Sequence, residues 1–255
     1  MHRMSLIFAV VLGLANGVLN ECWAQTDAIK PPTRSPHYER LEFKTKEGVK
    51  LSYWLMKPVE VDRGREYPLV LALHGRAGST TAATVLGGAR MRKRHPCFVM
   101  APAVSKRGVW SMPKDFRKLK GKQLLPAVIE ALEAVRKEHP IDPDRVYVTG
   151  QSMGGFGTFG AIATSPQTFA AAIPVCGGWD PADAQKMKSV ALWAFHGGSD
   201  RTVPAERSRR MVEAIKQAGG SPKYTEYPNV GHNSWVKAYA SPSTWEWLFA
   251  QRRAN

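Results

Sequence analysis

The sequence predicts a single α/β domain: a mostly parallel, twisted sheet with helices on both faces and an N-terminal antiparallel hairpin. Three observations carry this. Short, continuous apolar runs recur along the chain, as in strands covered on both faces. Segments of helical period separate those runs, the alternation that parallel βαβ units produce. No repeat, linker or low-complexity tract divides residues 40–250. Composition agrees with one domain. The chain has 255 residues, 44% hydrophobic and 22% charged, enough to bury a core without staples.

Residues 1–24 are expected to lie outside that domain. His2 and Arg3 give a positive start, and Leu6 to Leu19 is apolar apart from Gly and Asn. Cys22 and Ala24 place small residues three and one before a cut after Ala24. This is the pattern of a secretory signal, and a run of about 14 residues is short of the roughly 20 that span a bilayer. A retained anchor, or a lipid carried on Cys22, is the alternative. Export to the periplasm or the medium is the expectation. Residues 25–40 then form a Pro-rich, extended lead-in, and the catalytic domain covers 41–255.

Within the domain, Leu41–Thr45 and Val49–Leu55 alternate around Lys46-Glu47-Gly48, a hairpin signal. Leu69–Leu73 is a buried-strand run that stops at His74-Gly75. One helix is expected from the 80s into Arg94, then a strand at Cys97–Ala101. Residues 123–138 place Leu125, Val128, Ile129, Leu132 and Val135 on one helical stripe. Further strands are expected at Arg145–Thr149, Ala170–Cys176, Val190–Phe195 and Tyr224–Tyr227. A helix starts near Pro204, where proline suits a first turn, and Trp245–Phe249 belongs to a closing helix.

Charge is the unusual feature of the composition. Lys and Arg number 36 against 21 Asp and Glu, a net charge of +15. The surplus gathers at Arg90, Arg92, Lys93 and Arg94, at Lys114, Arg117, Lys118, Lys120 and Lys122, and at Arg207, Arg209 and Arg210. Such clusters suit either a polyanion or a plainly solvated face. Three Cys exclude a disulfide scaffold. Cys97 and Cys176 are expected to be unpaired and buried, although export leaves a disulfide between them open. No zinc spacing, P-loop or dinucleotide fingerprint is present, so neither a metal nor a cofactor is expected, and no nucleic acid or stable membrane insertion is implied.

The chemistry gathers at strand ends. Gly150-Gln151-Ser152-Met153-Gly154-Gly155 fits G-x-S-x-G, follows a strand and opens a helix-compatible stretch. The glycines are needed because the turn is too tight for side chains. Ser152 then sits at a strained apex, facing the N–H groups of a helix start. A serine hydroxyl needs a base. His2 and His37 precede the domain, and His95 and His139 stand before prolines at helix-to-strand junctions. His74 and His196 belong to His-Gly turns and are read as structural. His232, after the last strand, is the base. The acid lies between Ser152 and His232. Asp200, just past the strand at 190–195, is preferred, with Asp180 second and Asp183 third. An oxyanion hole would use the N–H of Met153 and one from His74–Gly78, that of Arg76 first and of Ala77 second.

These residues resemble the α/β-hydrolase superfamily. Within it the chain is similar to the compact carboxylesterase, dienelactone-hydrolase-like and prolyl-oligopeptidase-like group. The resemblance covers roughly residues 40–250 and rests on Leu73-His74-Gly75, the Ser152 turn, His196-Gly-Gly-Ser-Asp200 before Val203-Pro204, and Gly231-His232. It implies a Ser152–Asp200–His232 triad, an acyl-enzyme and no cofactor. Dienelactone hydrolases carry Cys where Ser152 stands, which speaks against their substrate. About a dozen residues join Cys176 to Val190, too few for a lid or cap domain, and no β-propeller precedes the domain. An open cleft accepting an ester on a bulky carrier, such as acylated polysaccharide, is the expectation. Trp110, Trp179 and Trp235, in loops at the catalytic face, are the candidates to stack on sugar or aromatic acyl groups. The leading reading is thus a secreted serine esterase for small or polymer-linked esters. A serine peptidase on the same triad, or a non-catalytic polyanion-binding protein, is the alternative.

Overall fold

In the computed structural model the described residues are 37–62, 64–78, 80–105, 108–115 and 121–253. The signal segment, the lead-in up to residue 36 and basic residues Arg117, Lys118 and Lys120 lie outside them. The chain opens with the hairpin β1 (Tyr38–Lys44) and β2 (Lys50–Met56), paired antiparallel from Tyr38 opposite Met56 to Lys44 opposite Lys50. β3 (Tyr67–Leu73) follows, then α1 (Thr81–Leu86), α2 (Ala89–Arg94) and β4 (Phe98–Pro102). A two-residue ladder joins β5 (Gly108–Val109) to β6 (Lys122–Gln123) ahead of α3 (Leu125–Glu138). β7 (Ile141–Gln151) runs into α4 (Met153–Thr164), and β8 (Ala171–Val175) is followed by the short α5 (Ala184–Met187). β9 (Ala191–Gly197), α6 (Glu206–Gln217), β10 (Lys223–Tyr227), α7 (Trp235–Ala240) and α8 (Pro242–Ala250) complete the chain.

Eight strands form one sheet in the order β1-β2-β4-β3-β7-β8-β9-β10. The hairpin joins it antiparallel, Met56 opposite Val99, and every strand from β4 to β10 pairs in parallel. Alternate residues of β3 serve opposite layers. Leu69, Leu71 and Leu73 pack in one apolar cluster with Val128 and Leu132 of α3, Phe156 of α4 and Met211 of α6. Val70 and Ala72 pack in the other with Leu86 of α1, Tyr239 of α7 and Trp245 of α8. Helices therefore cover both faces, and the buried strands read as unbroken apolar runs for that reason. Each large side chain so buried stabilises the fold by about 1.5–3 kcal/mol.

Local chemistry explains where the expected elements shift. The helix expected through Arg94 is two helices, broken at Gly87-Gly88, where glycine lacks helix propensity. β7 begins at Ile141, four residues early, because Tyr67 pairs with Ile141 before the register shift at Leu69 opposite Val146. On α3 the stripe residues Leu125, Val128, Leu132 and Val135 are buried, while Ile129 is only partly covered. Between β8 and β9 the chain makes a 3-10 turn and α5, with no inserted domain.

Candidate active site

β7 delivers the chain to Ser152 in a demanding geometry. Gln151 still pairs with Val175, yet α4 begins at Met153, so one residue makes the whole turn. Ser152 takes φ 56° and ψ −116°, a conformation that costs a non-glycine residue about 1–3 kcal/mol. The surroundings enforce it. The Ser152 N–H donates to Val175 O at 2.9 Å, and Phe156 N–H donates to Ser152 O at 3.0 Å. The elbow also presses on β3, since a Cβ at Gly154 would run into the carbonyl of Leu73. Helix α4 thus starts at the hydroxyl, with the Met153 N–H at its head and the positive end of its dipole facing Ser152.

Two loops bring the partners in. The turn after β9 and the loop after β10 are stitched together by Gly198 N–H to Tyr227 O at 2.8 Å and Ser199 N–H to Val230 O at 3.0 Å. They touch so closely that a Cβ at Gly197 would meet the carbonyls of Val230 and Gly231. That contact sets Asp200 beside His232. Asp200 Oδ2 lies 2.7 Å from His232 Nδ1, and His232 Nε2 lies 2.8 Å from Ser152 Oγ. The carboxylate can only accept, so Nδ1 carries the hydrogen, and the free lone pair of Nε2 receives the Ser152 O–H. The three side chains stand 32 and 80 residues apart in sequence.

The Asp200 side chain is fully covered, and burial alone would raise its pKa. Donors outweigh burial. His196 and His232 approach Oδ2, and the N–H groups of Val203 and Thr202 donate to Oδ1 at 2.9 and 2.8 Å. They hold the carboxyl well below the usual carboxylate range. Asp200 is therefore a stable anion in a place that would otherwise neutralise it.

The sequence marks Cys176 only as a buried thiol, and His196 and His74 only as turn residues. Cys176 follows β8 with φ 42°, and its thiol lies 3.3 Å from the His232 carbonyl oxygen and 3.6 Å from Ser234 Oγ. Burial pushes that thiol up to about 12. Cys176 and Cys97 are both buried and unpaired. Cys176, Asp200 and His232 bring their ligand atoms within 4.8 Å of one another. A cation there would have to displace the Asp200–His232 hydrogen bond. His196 reaches Asp200 directly, 3.3 Å from Oδ2. His74 donates through Nδ1 to Gly75 O at 2.7 Å and accepts Val104 N–H at Nε2, 3.1 Å away, which fixes a neutral ring. All three stand at C-terminal strand ends, where sites in parallel sheets gather; that position was the available signal.

The loop His74–Gly78 borders the Ser152 turn, with Gly75 packed against Gln151 and Ser152. Gly75 O accepts from both His74 Nδ1 and Gly78 N–H. In a trans peptide the Arg76 N–H then points the opposite way. The Arg76 guanidinium donates to Gly108 O at 3.0 Å.

The tryptophans divide. Trp110 is a correction: it is fully buried, donates through Nε1 to His74 O at 2.8 Å, and packs edge-on against the His74 ring. No face of it is open to substrate. Trp179 is half-buried over α4 and donates to Asp183 Oδ2 at 3.0 Å. Trp235 is half-buried and meets the His232 ring edge-on at 5.3 Å between centroids. The alternative acids are engaged elsewhere. Asp180 caps the turn before α5 through Ala182 N–H, and Asp183 holds Lys186 and Trp179. Of the basic clusters, Arg207 pairs with Asp115 and Arg209 with Glu206 and Glu226.

A model of the prolyl oligopeptidase family matches residues 110–184. Among solved structures, a thermostable esterase superposes with TM-score 0.79 at 37% identity, covering 86% of this chain and 64% of its own. Poly(3-hydroxyalkanoate) depolymerase C of Paucimonas lemoignei is 33% identical over 144 residues, 54% of this chain and 34% of that protein. An uncharacterised peptidase of Bacillus subtilis, YuxL, is 26% identical over 282 residues, 91% of this chain and 40% of that protein. The chain thus spans between a third and two-fifths of the length of these two curated relatives.

Proposed function

We propose that this chain, which belongs to the α/β-hydrolase superfamily of esterases and peptidases, is a serine hydrolase that cleaves carboxylic esters through an acyl-enzyme. One observation carries the reading: Ser152, His232 and Asp200 form a continuous hydrogen-bonded chain at 2.8 and 2.7 Å. Ser152 Oγ attacks the ester carbonyl while its proton passes to His232 Nε2. The buried Asp200 anion holds the tautomer and offsets the charge of the imidazolium. Met153 N–H at the head of α4 and Arg76 N–H, turned by the clamp on Gly75 O, receive the oxyanion. Collapse expels the alcohol, which takes the proton from His232. Water, deprotonated by the same ring, then attacks the acyl-enzyme and releases the acid and Ser152.

The substrate we propose is an ester on a bulky carrier, such as an acylated polysaccharide. A relative named for depolymerising a polyester supports a polymer-linked ester, and Trp235 beside His232 offers an aromatic edge at the site. Export after cleavage near Ala24 rests on the N-terminal sequence and fits a polymer outside the cell. The prolyl oligopeptidase match favours a second reading, amide cleavage on the same triad.

Labelling by a fluorophosphonate and hydrolysis of p-nitrophenyl acetate test the chemistry. Ser152→Ala should abolish labelling and lower turnover by about 10⁶-fold, the scale for such a nucleophile. Labelling that survives Ser152→Ala refutes the assignment. Parallel assays on a prolyl amide, a short aryl ester, and acetylated or feruloylated polysaccharide decide the bond and the carrier. No turnover of the polymers removes the polysaccharide proposal.

A further inference from the structure

We propose that His196 is a positioning residue of this site: its Nε2–H donates to Asp200 and thereby sets how strongly that carboxylate holds the His232 ring. The inference rests on the reading of Ser152, Asp200 and His232 as a working triad.

His196 is a fully buried imidazole. Its hydrogen bonding explains its presence. Nε2 lies 2.9 Å from Val203 O and 3.3 Å from Asp200 Oδ2. Both are acceptors, so Nε2 carries a hydrogen, which bonds to Val203 O and lies beside the carboxylate oxygen. Oδ2 is the same oxygen that receives His232 Nδ1–H at 2.7 Å. The other ring nitrogen is anchored behind. Nδ1 lies 2.8 Å from Ser208 Oγ, which lies 3.0 Å from Gly177 O. The ring is thus gripped between α6 and the turn that carries Asp200, and it cannot rotate without losing both contacts. Asp200 meets two imidazoles, from β9 and from the loop after β10, plus two backbone N–H groups.

The chemical consequence has a direction. Each donor on the carboxylate spreads its charge and weakens its pull on the next. With the His196 donor in place, Asp200 orients His232 without overstabilising the imidazolium. Without it, Oδ2 becomes a stronger acceptor for His232 alone and favours the protonated form of that ring. The other ionisable groups at this point are few. The Cys176 thiol closes the end of β8 and is held neutral by burial. Glu226 stands opposite His196 on β10 and is bound by Arg209 at 2.6 and 2.8 Å and by the Tyr224 hydroxyl at 2.6 Å.

A matched pair of variants separates donation from packing. His196→Gln places an amide N–H where Nε2 stands and reaches Asp200. His196→Asn satisfies Ser208 but falls short of Asp200. His196→Asn should lower kcat about tenfold, the scale of one hydrogen bond to a charged group, with KM unchanged. It should also move the acid limb of kcat/KM to higher pH. His196→Gln should restore the limb and most of kcat. Ser208→Ala, a small truncation that keeps the fold, should move the limb the same way by less. The midpoint of the His232 ring titration, read from its Cε1–H resonance, follows the same order without any substrate. That readout decides the inference even if the wild-type protein cleaves no ester or amide, which would overturn the triad reading instead. An acid limb and a His232 midpoint that stay in place in both His196→Asn and Ser208→Ala make His196 a packing residue and overturn the proposal.

Discussion

The His74 ring holds the carbonyl of Gly75 at 2.7 Å through Nδ1–H, and its other nitrogen accepts Val104 N–H, a bond that only the neutral ring can make. A loop beside Ser152 is thereby tied to the protonation state of a buried imidazole. In the unfolded chain His74 takes up a proton near pH 6.5; in the fold, burial pushes it down to about 4. Between those values the unfolded chain binds more protons. The His74 contribution to stability therefore rises with pH across that window, is lost as pH falls through it, and is gone below about pH 4. The loss is about 3 kcal/mol. His95 and His139, also held below their ordinary value by burial, add to it with the same sign. Denaturant midpoints measured across the window check this, and His74→Asn should show a flatter profile than the wild type.

Gly154 meets backbone, not a flexible side chain, so no relaxation can accommodate a methyl group there. Gly154→Ala should destabilise by about 1–3 kcal/mol or more and displace Ser152 from His232. Thermal unfolding and fluorophosphonate labelling read the two effects. An unchanged melting temperature with full labelling contradicts the packing described.

Asp200→Asn keeps the shape but not the charge. It should leave the melting temperature within a few degrees and lower turnover by about 10⁴-fold, because His232 is no longer held in the tautomer that accepts from Ser152. Asp180→Asn, at a turn cap outside the site, should leave turnover near wild type.

Two tryptophans should behave in opposite ways. Trp110→Phe removes the donor to His74 O inside the core and should destabilise by about 1–3 kcal/mol, with a fall in kcat through the Gly75–Arg76 peptide. Trp235→Ala should cost little stability and change KM for bulky esters, since its ring flanks His232 at the surface. The pairing of stability and kinetic data separates a core anchor from a substrate wall.

Cys97 and Cys176, both buried and both pushed up to about 12, should resist a thiol-directed disulfide reagent in the folded protein and react once it is unfolded. Labelling of Cys176 in the native state would mean that the back of the site opens.

Local chemistry was enough to read much of this protein from the sequence. Apolar runs such as Leu69–Leu73 are strands because two helical layers must cover both their faces, and that requirement leaves its mark residue by residue. The Ser152 elbow was legible because its constraint is steric and short in range: Gly150 and Gly154 stand beside the serine they accommodate. The preference for Asp200 and His232 followed from where strands end. What the sequence hid was contact across the sheet. Trp110 looked like a loop aromatic and is a core anchor, because the chain folds it under His74. His196 looked like a turn histidine and faces Asp200, because α6 brings Ser208 behind its ring. Cys176 gave no sign of its place under His232 until β8 and the loop after β10 met. Backbone period and turn sterics act between neighbours, so sequence determines them. Which buried polar groups share a hydrogen bond depends on loops separated by tens of residues closing on one another, and only the tertiary structure decides that.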